Sequence, residues 1–112
     1  MTTFLLIRHG MTDAVGQVMT GRAPGLLLNE SGVAHVATLP DRVAAMPLHA
    51  VYASPLERTM ATAQVLADAR GLPVLVEPRL VEIDYGGWTG NRYAAMAPDP
   101  AWQLYNAVRS VA

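Results

Sequence analysis

Residues 50–76 read Ala50-Val51-Tyr52-Ala53-Ser54-Pro55-Leu56-Glu57-Arg58-Thr59-Met60-Ala61-Thr62-Ala63-Gln64-Val65-Leu66-Ala67-Asp68-Ala69-Arg70-Gly71-Leu72-Pro73-Val74-Leu75-Val76. Ala50–Ala53 has the character of a short buried strand. It runs straight into Ser54-Pro55-Leu56-Glu57, which has the chemistry of a helix entry. Ser54 can cap, Pro55 suits the first helical position, and Glu57 can close a capping box. The predicted helix carries Leu56, Met60, Ala63, Leu66 and Ala67 on one face. Gly71 ends it, Pro73 prevents its resumption, and Val74–Val76 follows as another strand.

Working outward, Thr3-Phe4-Leu5-Leu6-Ile7 is a further apolar run, predicted as the first strand of the sheet. Between the first two strands, Asn29-Glu30-Ser31-Gly32 reads as a helix start. The helix presents Val33, Val36, Ala37 and Leu39 as an apolar stripe, and Pro40 ends or kinks it. A further helical turn is expected within Asp41–Met46. Strand, helix, strand, helix, strand is the pattern of a parallel sheet with right-handed crossovers, so the fold class read here is α/β. In such a sheet the carboxyl ends of the first two strands share an edge, where ligands are held. Arg8-His9-Gly10 and Ser54–Arg58 would then meet without being close in sequence.

The chemistry at that edge suits an anion. Histidine can attack phosphorus, arginine grips phosphate oxygens with a planar fork, and glycine lets backbone come close. Arg8 and Arg58 could clamp a phosphate monoester while His9 attacks in line. Glu82 or Asp84, if kept protonated by burial, could supply the proton to the leaving oxygen. Each residue also has a plainer reading. Arg58 could be an exposed helix arginine beside Glu57 or Asp68, and Glu82 a loop carboxylate capping backbone N–H groups. His35 is expected on the exposed side of its helix, and His49 reads as structural or surface.

The segment from Met11 to Gly25 is rich in glycine and reads as a long loop, with Thr12, Thr20 and Arg22 available to line a polar pocket. Leu80 to Gly90 reads as a constrained loop. Beyond Asn91, two short helices split by Pro98-Asp99-Pro100 are expected, the second carrying Trp102, Tyr105, Val108 and Arg109.

Bulk properties narrow the field. The chain has 112 residues, enough for one domain. Hydrophobic residues make up 52% and charged residues 15%, the latter well below the roughly 25% of an average globular chain. A disordered protein is thereby excluded. The net charge of −1 gives no basic field for nucleic acid or a membrane surface. With no cysteine there is no disulfide and no thiolate site, and the three histidines show no metal-ligand spacing. No dinucleotide fingerprint follows a strand, so no cofactor is expected. The opening apolar run is too short for a signal peptide or a membrane span, which leads to the expectation of a soluble, cytoplasmic protein. A homo-oligomer is compatible with the sequence, which does not specify one.

The ordered motifs resemble those of the histidine phosphatase superfamily, in its branch of phosphoglycerate mutase-like enzymes. They are Leu5-Leu6-Ile7-Arg8-His9-Gly10-Met11-Thr12, Thr20-Gly21-Arg22, Leu28-Asn29-Glu30-Ser31-Gly32, Tyr52 to Ala63, and Val81 to Gly90. The resemblance implies a three-layer α/β/α sandwich with a mainly parallel sheet, and a single domain over residues 1–112. It implies that His9 is the phosphorylated nucleophile, that Arg8 and Arg58 bind the phosphoryl group, and that Glu82 donates the proton. Gly10, Thr12, Thr20 and Gly21 become substrate-contacting candidates. The implied partner is a small phosphorylated substrate, hydrolysed through phosphohistidine. Members of the family normally supply a second, late histidine, which this sequence lacks. The expectation is therefore an amino-terminal portion of a longer protein, with a sheet incomplete at its carboxyl end. The alternative is a phosphate-binding module without turnover. The mutases carry an asparagine where this chain has Asp13-Ala14-Val15, which favours a phosphatase over mutase-type phosphotransfer.

Overall fold

The computed structural model describes residues 1–108. In chain order the elements are helix α1 (Glu30–Val36), helix α2 (Leu39–Arg42), strand β1 (Val51–Ala53), helix α3 (Glu57–Arg70), strand β2 (Val74–Val76), helix α4 (Tyr93–Met96) and helix α5 (Pro100–Val108). The chain divides into two compact units: Met1–Asp13 with Pro24–Glu82, and Ala14–Ala23 with the chain from Ile83 onward. Arg109, expected on the last helix, lies outside the described residues.

The first unit is organised by the β1–α3–β2 crossover. The strands pair in parallel, with Val51 opposite Val74, Tyr52 opposite Leu75 and Ala53 opposite Val76. The Glu77 N–H adds a bond of 2.8 Å to the Ala53 carbonyl. Val51 and Ala53 are buried while Tyr52 between them is exposed, as the two-residue period of a strand requires. Helix α3 packs on both strands and α2 packs on α3. Gly71, at φ 63°, ends α3 in the left-handed conformation that favours glycine. At the same end Arg70 donates from Nη1 to the Met46 carbonyl (2.9 Å) and from Nη2 to the Val43 carbonyl (2.6 Å), tying α3 to the turns after α2.

Three expectations need correction in this unit. Thr3–Ile7 is not a strand, and Phe4 and Leu6 are 80% and 90% exposed. A strand needs a ladder partner for its backbone groups, and among the described residues the sheet consists of β1 and β2 alone. Ser54 does not cap α3, which begins at Glu57 with no side-chain cap. Its hydroxyl is engaged instead with Thr59, whose Oγ1 lies 2.7 Å from Ser54 Oγ and donates to the Ser54 and Leu56 carbonyls. Helix α1 is capped by Asn29 as expected, but its buried positions are Gly32 and Val36, and Val33 is exposed. The reason is close packing: a Cβ on Gly32 would lie 2.1 Å from the Met11 carbonyl oxygen, so the helix turns its glycine inward. Pro40 does break the helix, but it does so by sitting in the first turn of α2.

The second unit is held by an antiparallel bridge, Val18 with Arg92, and by an aromatic cluster. The Met19 N–H donates to the Asn91 carbonyl (2.9 Å), and the Gly90 N–H returns a bond to the Met19 carbonyl (2.8 Å). Five of the chain's seven aromatic residues, Tyr85, Trp88, Tyr93, Trp102 and Tyr105, pack together. Trp88 meets Trp102 edge-on, with ring centroids 5.3 Å apart. The Trp88 Nε1–H also donates to Asp99, whose other oxygen takes the Ala101 N–H at 2.8 Å and so caps α5. Helices α4 and α5 are the two short helices expected around Pro98-Asp99-Pro100.

Candidate active site

His9 is partly exposed at the end of the irregular first segment. Its Nδ1 lies 2.7 Å from the Gly10 carbonyl oxygen. A carbonyl can only accept, so Nδ1 carries the proton and donates it. The neutral ring then has its free electron pair on Nε2, which is the nitrogen available for attack.

The backbone after His9 is held from two sides. Gly10 is buried, and its N–H donates to Thr62 Oγ1 at 2.9 Å. The Thr62 hydroxyl in turn donates to the Arg58 carbonyl at 2.8 Å. On the other side, a Cβ on Gly10 would stand 2.5 Å from Val36 Cγ2 and 3.1 Å from Leu28 Cδ2, so glycine lets α1 approach. The Asn29 N–H donates to the Met11 carbonyl (2.9 Å), while Asn29 Nδ2 donates to Asp13 Oδ1 (3.0 Å). Residues 10–13 are thereby clamped between the start of α1 and the first turns of α3. Thr12 is buried within this segment.

Arg58 is 2% exposed, which removes the reading of a solvated helix arginine. A cation is seldom enclosed without a purpose for its charge. Arg58 and Thr62 are one helical turn apart and continue into Leu66, so the buried face of α3 begins polar and ends apolar. Beside Arg58, the Glu57 carboxyl is held below its usual range. Its own backbone N–H contributes most, then the Gly25 N–H at 3.0 Å, with the Arg58 cation adding to both.

Other candidates are placed differently. Arg8 is exposed next to His9. Glu82, in the same unit, is exposed. Thr20, Gly21 and Arg22 belong to the second unit: Thr20 is half-buried, Gly21 is buried and Arg22 is exposed. Asp84 also lies there, accepting from the Gly86 N–H at 2.9 Å. His35 and His49 are exposed. Among the described residues, no group of three or more His, Cys, Asp or Glu side chains is placed to hold a metal. No helix among them is long and apolar enough to cross a membrane.

Sequence reasoning missed Thr62 and the Asp13–Asn29 bond. A signal for Thr62 was present, since it lies four residues after Arg58 and so shares its face.

Residues 4–110 match the histidine phosphatase superfamily (branch 1), and the chain belongs to that family. It is 37% identical over 93 residues to phosphoserine phosphatase 1 of Hydrogenobacter thermophilus, covering 80% of this chain and 43% of that protein. It is 36% identical over 84 residues to the adenosylcobalamin/α-ribazole phosphatase of Salmonella typhimurium, covering 74% of this chain and 41% of that one. Among solved structures, a mycobacterial glucosyl-3-phosphoglycerate phosphatase in complex with VO3 superposes with a TM-score of 0.78 at 32% identity. That match covers 86% of this chain and 48% of the other. The chain thus spans less than half the length of these relatives, and its α/β fold with a parallel sheet is that of the histidine phosphatases.

Proposed function

We propose that the chain carries the nucleophile of a phosphomonoester hydrolase acting on a small phosphorylated metabolite in the cytoplasm. His9 Nε2 forms a bond to phosphorus as the bond from phosphorus to the ester oxygen breaks. Arg8 and Arg58 hold the phosphoryl oxygens and offset the charge of the transition state. Glu82 gives a proton to the departing oxygen, then takes one from the water that cleaves phosphohistidine to inorganic phosphate. Gly10, Thr12, Thr20 and Gly21 are proposed to contact the substrate. The observation that carries this reading is the 2.7 Å bond from His9 Nδ1 to the Gly10 carbonyl, because it assigns the lone pair to Nε2. The phosphatase relatives support hydrolysis over mutase chemistry.

The test is to incubate the chain with p-nitrophenyl phosphate and quench in alkali. The expected product is an acid-labile phosphate on His9, absent from His9→Ala. Phosphate transferred to a second acceptor instead of water would favour a mutase. Phosphate bound with no covalent adduct would overturn the enzyme reading and leave a binding module.

A further inference from the structure

The hydroxyl of Thr62 belongs to none of the roles assigned above, yet it is 5% exposed and fully engaged. It has one proton and gives it to the Arg58 carbonyl at 2.8 Å. Its lone pair therefore faces the Gly10 N–H, 2.9 Å away and buried. One oxygen atom thus joins the peptide between His9 and Gly10 to the turn of α3 that carries Arg58. The opposite flank of Gly10 is closed by Val36, Leu28 and the Gly32 carbonyl. A side chain at position 10 has no room on the α1 flank, and Thr62 holds the Gly10 N–H on the α3 side.

We propose that Thr62 is a positioning residue for phosphoryl transfer. Its hydroxyl sets the His9–Gly10 peptide in register with Arg58, and so keeps the imidazole donating to the Gly10 carbonyl with Nε2 free to attack. This role presupposes that His9 is the nucleophile. A valine at 62 would fill the same volume, lack the acceptor, and leave the Gly10 N–H buried without a partner. The backbone at Gly10 would then rotate, the Nδ1–H bond would lengthen, and the ring would drift toward the Nε2–H tautomer that a free histidine side chain prefers. Misplacement on this scale lowers the rate of a positioned reaction by about 10- to 100-fold, while phosphate binding by the two arginine side chains is retained.

The experiment compares Thr62→Val, Thr62→Ser and the unaltered chain. Ring 15N shifts of His9 at alkaline pH should report an Nδ1–H imidazole in the unaltered chain and in Thr62→Ser, and a shift toward Nε2–H in Thr62→Val. The rate of His9 phosphorylation by p-nitrophenyl phosphate at saturation should fall about 10- to 100-fold in Thr62→Val, with half-saturation unchanged, and recover in Thr62→Ser. A folded Thr62→Val with unaltered ring shifts, or a Thr62→Ser as impaired as Thr62→Val, would overturn the proposal. If Thr62→Val does not fold, the unaltered chain still decides. Its Gly10 amide must exchange with solvent far more slowly than those of Phe4 to Ile7, and an equal rate refutes the bridge. Failure to form phosphohistidine in the unaltered chain would instead strike the proposed function, while ring shifts and amide exchange still test the placement of His9.

Discussion

Two short apolar segments of this chain, Thr3–Ile7 and Ala50–Ala53, each lead into a polar motif, and they end up in opposite states. Val51 and Ala53 are buried, and the segment is paired along one edge to Val74–Val76. Phe4 and Leu6 are exposed, and no ladder forms along their backbone. The larger apolar side chains are in the first segment. What separates them is a neighbour: α3 returns the chain so that β2 lies alongside β1. A crossover supplies both a ladder partner and a lid for the buried face. Composition makes a segment fit for a sheet, and pairing makes it a strand.

The most demanding way to break this contrast is to put the same charge into both segments. Val51→Asp would bury an unpaired carboxylate against α3 and should cost about 3–5 kcal/mol, enough to unfold the first unit. Leu6→Asp replaces a side chain already 90% exposed and should stay within about 0.5 kcal/mol. Urea midpoints read by far-ultraviolet circular dichroism measure both. Equal losses for the two variants would show that residues 3–7 are structured in the same sense as β1.

The same logic explains what the sequence discloses and what it hides. The crossover was legible because its signals are local: Gly71 and Pro73 stop the helix, and β-branched residues follow. The helix start at Asn29 was legible for the same reason, as was the break at Pro98-Asp99-Pro100, whereas the cap by Asp99 was not read. The state of Thr3–Ile7 was not legible, because it depends on partners distant in sequence. The start of α3 was misplaced because Ser54 had two uses, a helix N–H or Thr59, and nothing in the local pattern ranks them. At the site, Arg8, His9 and Gly10 stand out as residue types, and the burial of Arg58 does not. An arginine on a helix reads as solvated until the packing of α3 is known. The aromatic cluster of the second unit was equally hidden, although all five of its rings lie between Tyr85 and Tyr105.

A smaller effect sharpens the role of the crossover. Gly71 sits at φ 63°, with open space where a Cβ would go. Gly71→Ala therefore tests conformation alone, free of any clash, and should cost about 1–2 kcal/mol. The loss should appear in the urea midpoint without a change in slope, since the folded and unfolded surfaces are preserved. Adding Leu6→Asp should not enlarge it, because the Leu6 side chain is already 90% exposed. A loss in the double variant well beyond that of Gly71→Ala would tie residues 3–7 to the end of α3.

The smallest effect expected is a difference in acid sensitivity. Residues 3–7 carry no titratable side chain, whereas the paired region is followed directly by Glu77. The Glu77 carboxylate accepts from Arg79 Nε and Nη2 at 2.8 Å each, and from the Arg79 backbone N–H at 3.0 Å. The Arg79 side chain contributes most to holding the Glu77 carboxyl below its usual value of 4.5, and Glu57 is lowered likewise, chiefly by backbone N–H groups. A carboxyl whose folded value is depressed binds fewer protons folded than unfolded between the two values. Its contribution is complete above 4.5 and is lost as pH falls through the depressed value. The urea midpoint should accordingly stay level from neutral pH to about pH 5 and then decline. Glu77→Gln should show a shallower decline, with Glu57 still titrating, and Leu6→Asp should leave the Glu77-dependent part in place. A midpoint that rises on acidification, or a Glu77→Gln profile parallel to that of the unaltered chain, would mean that the turn after β2 lends the paired strands no pH-dependent support.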